Sequence, residues 1–333
     1  MDKISKSQLT AMLLIGDVFA LFCLSGSLSA ITTLGFLAGT ALQFLLTLPF
    51  AFLCKKDSSM GKPAEAIMLI WLIFWGGTLF RMQWSASEVI YIPYENSGGI
   101  FGKLLISGLI ALVCLYISST GLKALSRASV IAAAVGAVGL AVVIVSAVFS
   151  FDPENFYRAK AERSFFSEII RGFSLSGGLG SLIVLLTLTK SSPASGTSLY
   201  FIGKGIVTAA MTLTTVFVAG GIMKITDFPV ITVAQLSQPF SVQRIDSLFL
   251  INFTVFAVFS IAVQSAAAAY LAGEIFPKFK RYRCSAVLLL MIASAFLITE
   301  NELLIAAATA AVLIAVPAII SVQRGFTSRR RQS

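Results

Sequence analysis

The chain reads as an all-α integral membrane protein: ten transmembrane helices in a 5+5 inverted repeat, with helices 1 and 6 broken at the bilayer midplane. Three observations predict this. Hydrophobic residues make up 57% of the 333 residues and charged ones only 12%, with a mean hydropathy of +0.91, whereas soluble domains are about a quarter charged. The apolar residues fall into ten runs, and about 20 residues of helix cross a hydrocarbon core of about 30 Å. Finally, two of those runs, at corresponding places in the two halves, are interrupted by glycine and polar residues, the pattern that marks a binding site in inverted-repeat membrane proteins.

The spans are predicted at 8–26, 29–53, 64–89, 100–119, 128–150, 167–189, 197–222, 245–275, 284–299 and 303–322. The eighth is longer than a perpendicular crossing needs, so it tilts or begins outside the bilayer. Repeat one covers about 8–150 and repeat two about 167–322, followed by a short basic tail, 323–333. The whole chain, 1–333, is read as one transmembrane domain without a separate soluble unit. Between the repeats, FDPENFYRAKAERSFFSE (151–168) combines aromatic and charged residues. It reads equally as a short amphipathic helix at the membrane interface or as a solvated loop. The first apolar run is long and lacks a small-residue cleavage site, so it is read as a span and not as a leader.

Charge placement gives the orientation, because cytoplasmic loops collect Lys and Arg. With the N-terminus inside, Lys3, Lys6, Lys55, Lys56, Lys62, Lys123, Arg127, Lys190, Lys278, Lys280, Arg281 and Arg283 all lie inside, as do Arg324 and Arg329–Arg331. That is most of the 25 basic residues, and both termini are expected to be cytoplasmic. Because these residues sit in short loops between spans, the net charge of +10 is no sign of a nucleic-acid partner.

The interrupted spans hold the candidate site. In the first, Gly16 and Asp17 lie about 12 Å along a helix starting at Gln8, at 1.5 Å per residue. In the sixth, Gly177 and Gly178 lie about 15 Å from Ser167 by the same measure, so both breaks are placed near the midplane. An unwound turn there would expose amides and carbonyls, favouring an anion at the N-terminal end of one half-helix and a cation at the C-terminal end of another. A zwitterionic amino acid suits such a site. Gly172, Ser176 and Gly180 also recur every four residues, which is equally the small-residue pattern of close helix packing.

Asp17 is the sharpest single residue. A carboxylate in mid-membrane costs at least about 2.5–3.5 kcal/mol on insertion scales, so it is expected to have a partner or a function. It would bind a ligand ammonium, pair with Lys204, carry a proton, or sit neutral against a neighbouring helix. Lys204, about two turns from its helix end, is expected to snorkel. Arg81, Trp84, Glu88 and Tyr91 read as an interfacial belt or, less directly, as ligand contacts; Arg244 and Asp246 open the eighth span, and Glu300 and Glu302 read as solvated caps.

Other chemistries lack their residues. The chain has no histidine, the usual general base and commonest metal ligand. Cys23, Cys54, Cys114 and Cys284 lie in or beside predicted spans without a CxxC spacing, so neither a zinc site nor a disulfide framework is expected. No catalytic residue, metal site or cofactor is predicted, and an enzyme is not expected.

Two stretches resemble a known family. Ile4–Phe19, ISKSQLTAMLLIGDVF, resembles the opening of the B subunits of bacterial spore-germinant receptors, with Ile-Ser, then Gln-Leu, then a glycine in the first span. Phe228–Leu250, FPVITVAQLSQPFSVQRIDSLFL, resembles that family's proline-containing outer loop and its entry into the eighth span, carried here by Gln243, Arg244, Ile245, Asp246, Leu248 and Phe249. The resemblance implies the amino acid–polyamine–organocation superfamily and a LeuT-like fold in which helices 1 and 6 unwind around a ligand. It implies a site formed by Gly16, Asp17, Val18, Ser176, Gly177, Gly178 and Leu179. The implied role is recognition of a small germinant, an amino acid, in the inner spore membrane beside A and C subunits, with membrane lipid as the other partner. Where that superfamily usually has small residues in span one, this chain has Asp17, and it is short for the family. A permease for an amino acid or amine, proton-coupled through Asp17, is the alternative reading.

Overall fold

A computed structural model describes residues 4–54, 60–90, 100–159, 162–189, 193–220, 227–236, 246–279, 282–298 and 301–330. In chain order the helices are α1 Lys6–Phe22, α2 Ala30–Cys54, α3 Lys62–Ile90, α4 Ile100–Ser119, α5 Leu122–Val148, α6 Pro153–Arg158 and α7 Phe165–Ser174. They continue with α8 Leu179–Thr187, α9 Pro193–Ala219, α10 Pro229–Leu236, α11 Asp246–Ile275, α12 Arg283–Leu297 and α13 Glu302–Arg330. Seven of these are long and apolar enough to cross a membrane, and α7 with α8, bent by 48° at their junction, makes an eighth. The shorter α1 and α12 stand where the first and ninth spans are predicted. The last helix runs on through Arg330, absorbing most of the stretch read as a tail.

This is a multi-pass membrane protein, and its surface agrees. On α5, Ile131, Val135, Val138 and Val145 are exposed at helical spacing, a stripe that only lipid would cover without cost.

The start of α1 explains one of the sequence motifs. Ser5 caps the helix, its hydroxyl accepting from the Gln8 amide at 3.3 Å while Gln8 Oε1 accepts from the Ser5 amide at 3.0 Å. Ile4 and Leu9, both buried, occupy the flanking positions of a hydrophobic staple. Ile4 also donates its amide to Leu188 at 2.9 Å, tying the start of α1 to the end of α8.

Contrary to expectation, α1 is not broken at Gly16–Asp17; it is helical without interruption from Lys6 to Phe22. One glycine weakens a helix by about 1 kcal/mol, less than the several kcal/mol of leaving backbone groups unpaired in lipid. The chain leaves the helix only after Phe22, with Gly26 at φ +86° and its amide bound to Asp227.

Helix α1 is central, packing on α5, α9 and α11; α2 packs on α7 and α9, and α3 on α11 and α12. Phe22 of α1 meets Phe249 at 4.8 Å and Phe256 at 5.8 Å between ring centroids, and Phe19 meets Phe253 at 5.6 Å. Phe249, singled out by the second motif, is thus an anchor of α11 on α1. Asp246 opens α11, whereas Gln243 and Arg244 lie outside the described residues.

Candidate functional site

The break between α7 and α8 sits against the middle of α1. Helix α7 stops at Ser174, and Gly178 is the N-cap of α8. The sequence Ser176-Gly177-Gly178 is a poor helix former, but the break persists because its backbone groups find partners elsewhere. Gln43 of α2 donates to the Phe173 carbonyl at 2.6 Å, Lys204 of α9 to Leu175 at 3.3 Å, and Gln264 of α11 to Gly177 at 2.9 Å. Asp17 Oδ1 accepts from the Ser176 hydroxyl at 2.7 Å and from the amides of Gly177 and Gly178 at 3.1 and 3.4 Å. Ser176 Oγ in turn accepts from the Leu179 amide at 3.1 Å.

Asp17 therefore serves as the anion at the N-terminus of α8, where free amides and the helix dipole favour negative charge. It is 2% exposed, as is Lys204, whose ammonium lies 3.2 Å from Asp17 Oδ1 and 2.7 Å from Gln43 Oε1. The expectation that Lys204 snorkels is corrected: a carboxylate, an amide oxygen and a carbonyl hold it inside.

The glycines set the approach of the two segments. A Cβ on Gly177 would lie 1.8 Å from the Gly16 oxygen, and one on Gly178 would lie 2.5 Å from the Leu13 oxygen. Here α1 and the break touch backbone to backbone, and in this state no ligand-sized space separates Gly16 from Gly177. The two readings of the small-residue spacing both apply, at different positions. Gly172, whose Cβ would lie 2.4 Å from Phe36 Cα, serves helix packing, while Ser176–Gly178 form the break.

The structure thus brings Gly16, Asp17, Ser176, Gly177, Gly178 and Leu179 to one junction, with Val18 buried in the adjoining core. Sequence reasoning missed Gln43, Gln264, Tyr200 and Trp75. The signal for the first two was present: an amide side chain in the middle of an apolar span seeks a polar partner. Around the junction four buried polar atoms lack a well-aligned hydrogen bond: Asp17 Oδ2, the Tyr200 hydroxyl, Trp75 Nε1 and Gln264 Oε1. Tyr200 has Asp17 and Ser176 as polar neighbours. Trp75 and Gln264 both close on Gly180, where a Cβ would lie 2.5 Å from Trp75 Cδ1 and 3.0 Å from Gln264 Oε1.

On the α7 side of the break lies a cavity of about 120 Å³ whose walls include Cys23, Ser25, Thr78, Arg81, Ser174, Leu175 and Glu302. The C-terminal ends of α1 and α7 both face it. Arg171, 2% exposed, borders it, donating to the carbonyls of Ser25 and Ser27 and pairing with Glu168 at 3.4 Å. Glu302, expected to be a solvated cap, bridges Arg163 at 2.6 Å and Arg171 at 3.6 Å. Trp84, expected at the interface, is buried against Phe296 and hydrogen-bonded to Ser107, while Glu88 pairs with Lys103 at 2.8 Å. Among the described residues no group of three or more His, Cys, Asp or Glu side chains could hold a metal ion.

The fold is that of known transporters. The chain is similar to Mhp1, a nucleobase-cation-symport-1 family transporter, in a closed conformation with bromovinylhydantoin bound, at a TM-score of 0.64 and 14% identity over 100% of this chain and 80% of that one. The inward-facing conformation of Mhp1 gives 0.54 and 13% over 94% of this chain and 76% of that one. A Na+-coupled sialic acid symporter in a substrate-bound outward-open state gives 0.52 and 15% over 95% and 74%. At these identities the likeness concerns the fold alone, which is LeuT-like. No curated protein sequence matches the chain. The sequence profile described as "Spore germination protein" matches residues 102–303, well over half of the chain, and this includes the break, the Lys204 helix and the Phe228–Leu250 motif. The chain belongs to the spore germination protein family.

Proposed function

We propose that the chain is the B subunit of a spore-germinant receptor and recognises a small germinant, an amino acid, in a transporter-like site between helices 1 and 6. The observation that carries this reading is the break itself: a crossing loses its helix beside three buried polar atoms without a hydrogen-bond partner among the described residues, Asp17 Oδ2, Trp75 Nε1 and Gln264 Oε1. Buried polar groups are ordinarily paired, so such a cluster marks a place built to meet another molecule in a different state of the same helices. The cavity beside it suits a zwitterion. Arg81 lies on its wall for a carboxylate, and the C-terminal ends of α1 and α7 offer partial negative charge to an ammonium.

In this reading α1–α5, the bent α7–α8 pair, α9, α11, α12 and α13 are ten spans in two inverted sets of five, with both termini cytoplasmic, in the inner spore membrane. The A and C subunits and membrane lipid are its partners, with no nucleic acid, metal or cofactor. The test is thermal stabilisation of the detergent-solubilised chain by a panel of amino acids, nucleosides and sugars. Stabilisation by an amino acid that disappears in Arg81→Gln is expected; stabilisation by nucleosides or sugars alone would overturn the reading.

A second reading, a secondary transporter of an amino acid or amine, is favoured by the fold shared with symporters. Accumulation of labelled amino acid by liposomes holding the chain alone would select it.

A further inference from the structure

Proteins that share this fold include a Na+-coupled symporter and a member of a cation-symport family, so the source of positive charge at this chain's break is a pertinent question. We infer that the Lys204 ammonium is the resident cation of the break and that it excludes a dissolved alkali cation. Three oxygens from three different segments converge on Nζ: Gln43 Oε1 of α2 at 2.7 Å, Asp17 Oδ1 of α1 at 3.2 Å and the Leu175 carbonyl of the break at 3.3 Å. A carboxylate, an amide and a backbone carbonyl form a donor set that suits a hard cation. The distances here are those of N–H···O bonds, so the lysine itself fills the set.

Charge balance points the same way. Asp17 and Lys204 are both buried and form a neutral pair. The Tyr200 hydroxyl is a further polar neighbour of Asp17, and among the described residues no third charged side chain forms an ion pair with either of them. A sodium ion added beside Lys204 would leave one positive charge uncompensated in a dry interior, which a protein avoids. Removing the side chain inverts this: Lys204→Ala would leave Asp17 and the two neutral oxygens around a space the length of a lysine.

The inference concerns the α1–break junction and stands whether the ligand is a germinant or a transported solute. Its test uses sodium alone and no germinant. The purified full chain is melted in detergent in sodium chloride and in choline chloride at equal ionic strength. The wild type is expected to melt at the same temperature in both. Lys204→Ala is expected to melt lower in choline chloride and to recover by a few degrees, saturably, in sodium or potassium chloride. Lys204→Met, which fills the space without charge, is expected to stay low in all three. Selective stabilisation of the wild type by sodium would overturn the inference, as would a folded Lys204→Ala indifferent to alkali cations. Should Lys204→Ala fail to fold, the wild-type comparison decides alone.

Discussion

Asp17→Asn is the substitution that isolates charge from shape at the junction. Asparagine keeps an oxygen that can accept from Ser176, Gly177 and Gly178, so the three bonds at 2.7, 3.1 and 3.4 Å lose their ionic character without losing their geometry. Bonds to a charged group are worth about 1.5–3 kcal/mol and neutral ones about 0.5–1.5, but only the short Ser176 bond has near-ideal length, so this change is about 1 kcal/mol. The larger effect is on Lys204. Its ammonium, 3.2 Å from Asp17 Oδ1, would be left buried beside neutral oxygens only, and stranding one member of a buried pair costs about 3–5 kcal/mol. The expected loss is therefore about 4–6 kcal/mol, above the usual range of single substitutions. Lys204→Met alone strands Asp17 in the same way, whereas the double variant removes both charges. A double-mutant cycle on apparent stability, measured by mixed-micelle unfolding, should give a favourable coupling of about 3 kcal/mol. Additivity within about 0.5 kcal/mol would mean that the two charges do not sense each other, and the account of the junction would fall with it.

Three further outcomes follow from the same contacts. Gly178→Val places a branched side chain where a Cβ already meets the Leu13 oxygen at 2.5 Å, so it should force α1 away from α8 and abolish ligand-dependent stabilisation while the chain still inserts; a normal ligand response in this variant refutes the close approach. Ser5→Ala removes one half of a capping box and should lower apparent stability by about 1 kcal/mol, read by thermal unfolding, with ligand response unchanged. Phe249→Ala removes a ring packed on Phe22 and should cost about 3–5 kcal/mol, visible as loss of folded protein on size-exclusion chromatography.

The fold was largely legible because membrane insertion constrains composition more strictly than water does: a run of apolar residues about 20 long has few other uses. The break at Ser176–Gly178 was legible for a local reason, the clustering of residues that hold a helix poorly. What could not be read is whatever depends on a partner far along the chain. Gly16 is a single glycine within an apolar run, and α1 stays wound through it, whereas Gln43, Lys204 and Gln264 offer partners to the backbone of the break. Lys204 lies within snorkelling distance of its helix end, and partners remote in the chain, Asp17, Gln43 and the Leu175 carbonyl, turn it inward. Glu302 and Arg171 are likewise defined by each other.

The identity of the anion at the start of α8 constrains how any ligand can act. Free amides there would capture a ligand carboxylate directly, but in this state Asp17 already occupies them, and the ammonium that would balance a bound acid is engaged by the same residue. An acidic group reaching the break must displace Asp17 and share Lys204 with it, adding net negative charge to a buried place. A ligand that keeps its carboxylate at Arg81, in the cavity on the α7 side, and extends its ammonium toward the helix ends at Ser174 and Cys23 meets no such cost. A ligand can shift a conformational equilibrium only through different affinities for its two states. The groups placed to supply that difference are those without a hydrogen-bond partner in the closed junction among the described residues, Trp75 Nε1, Gln264 Oε1 and Asp17 Oδ2, because opening the contact between α1 and the break would give them partners that the closed state withholds.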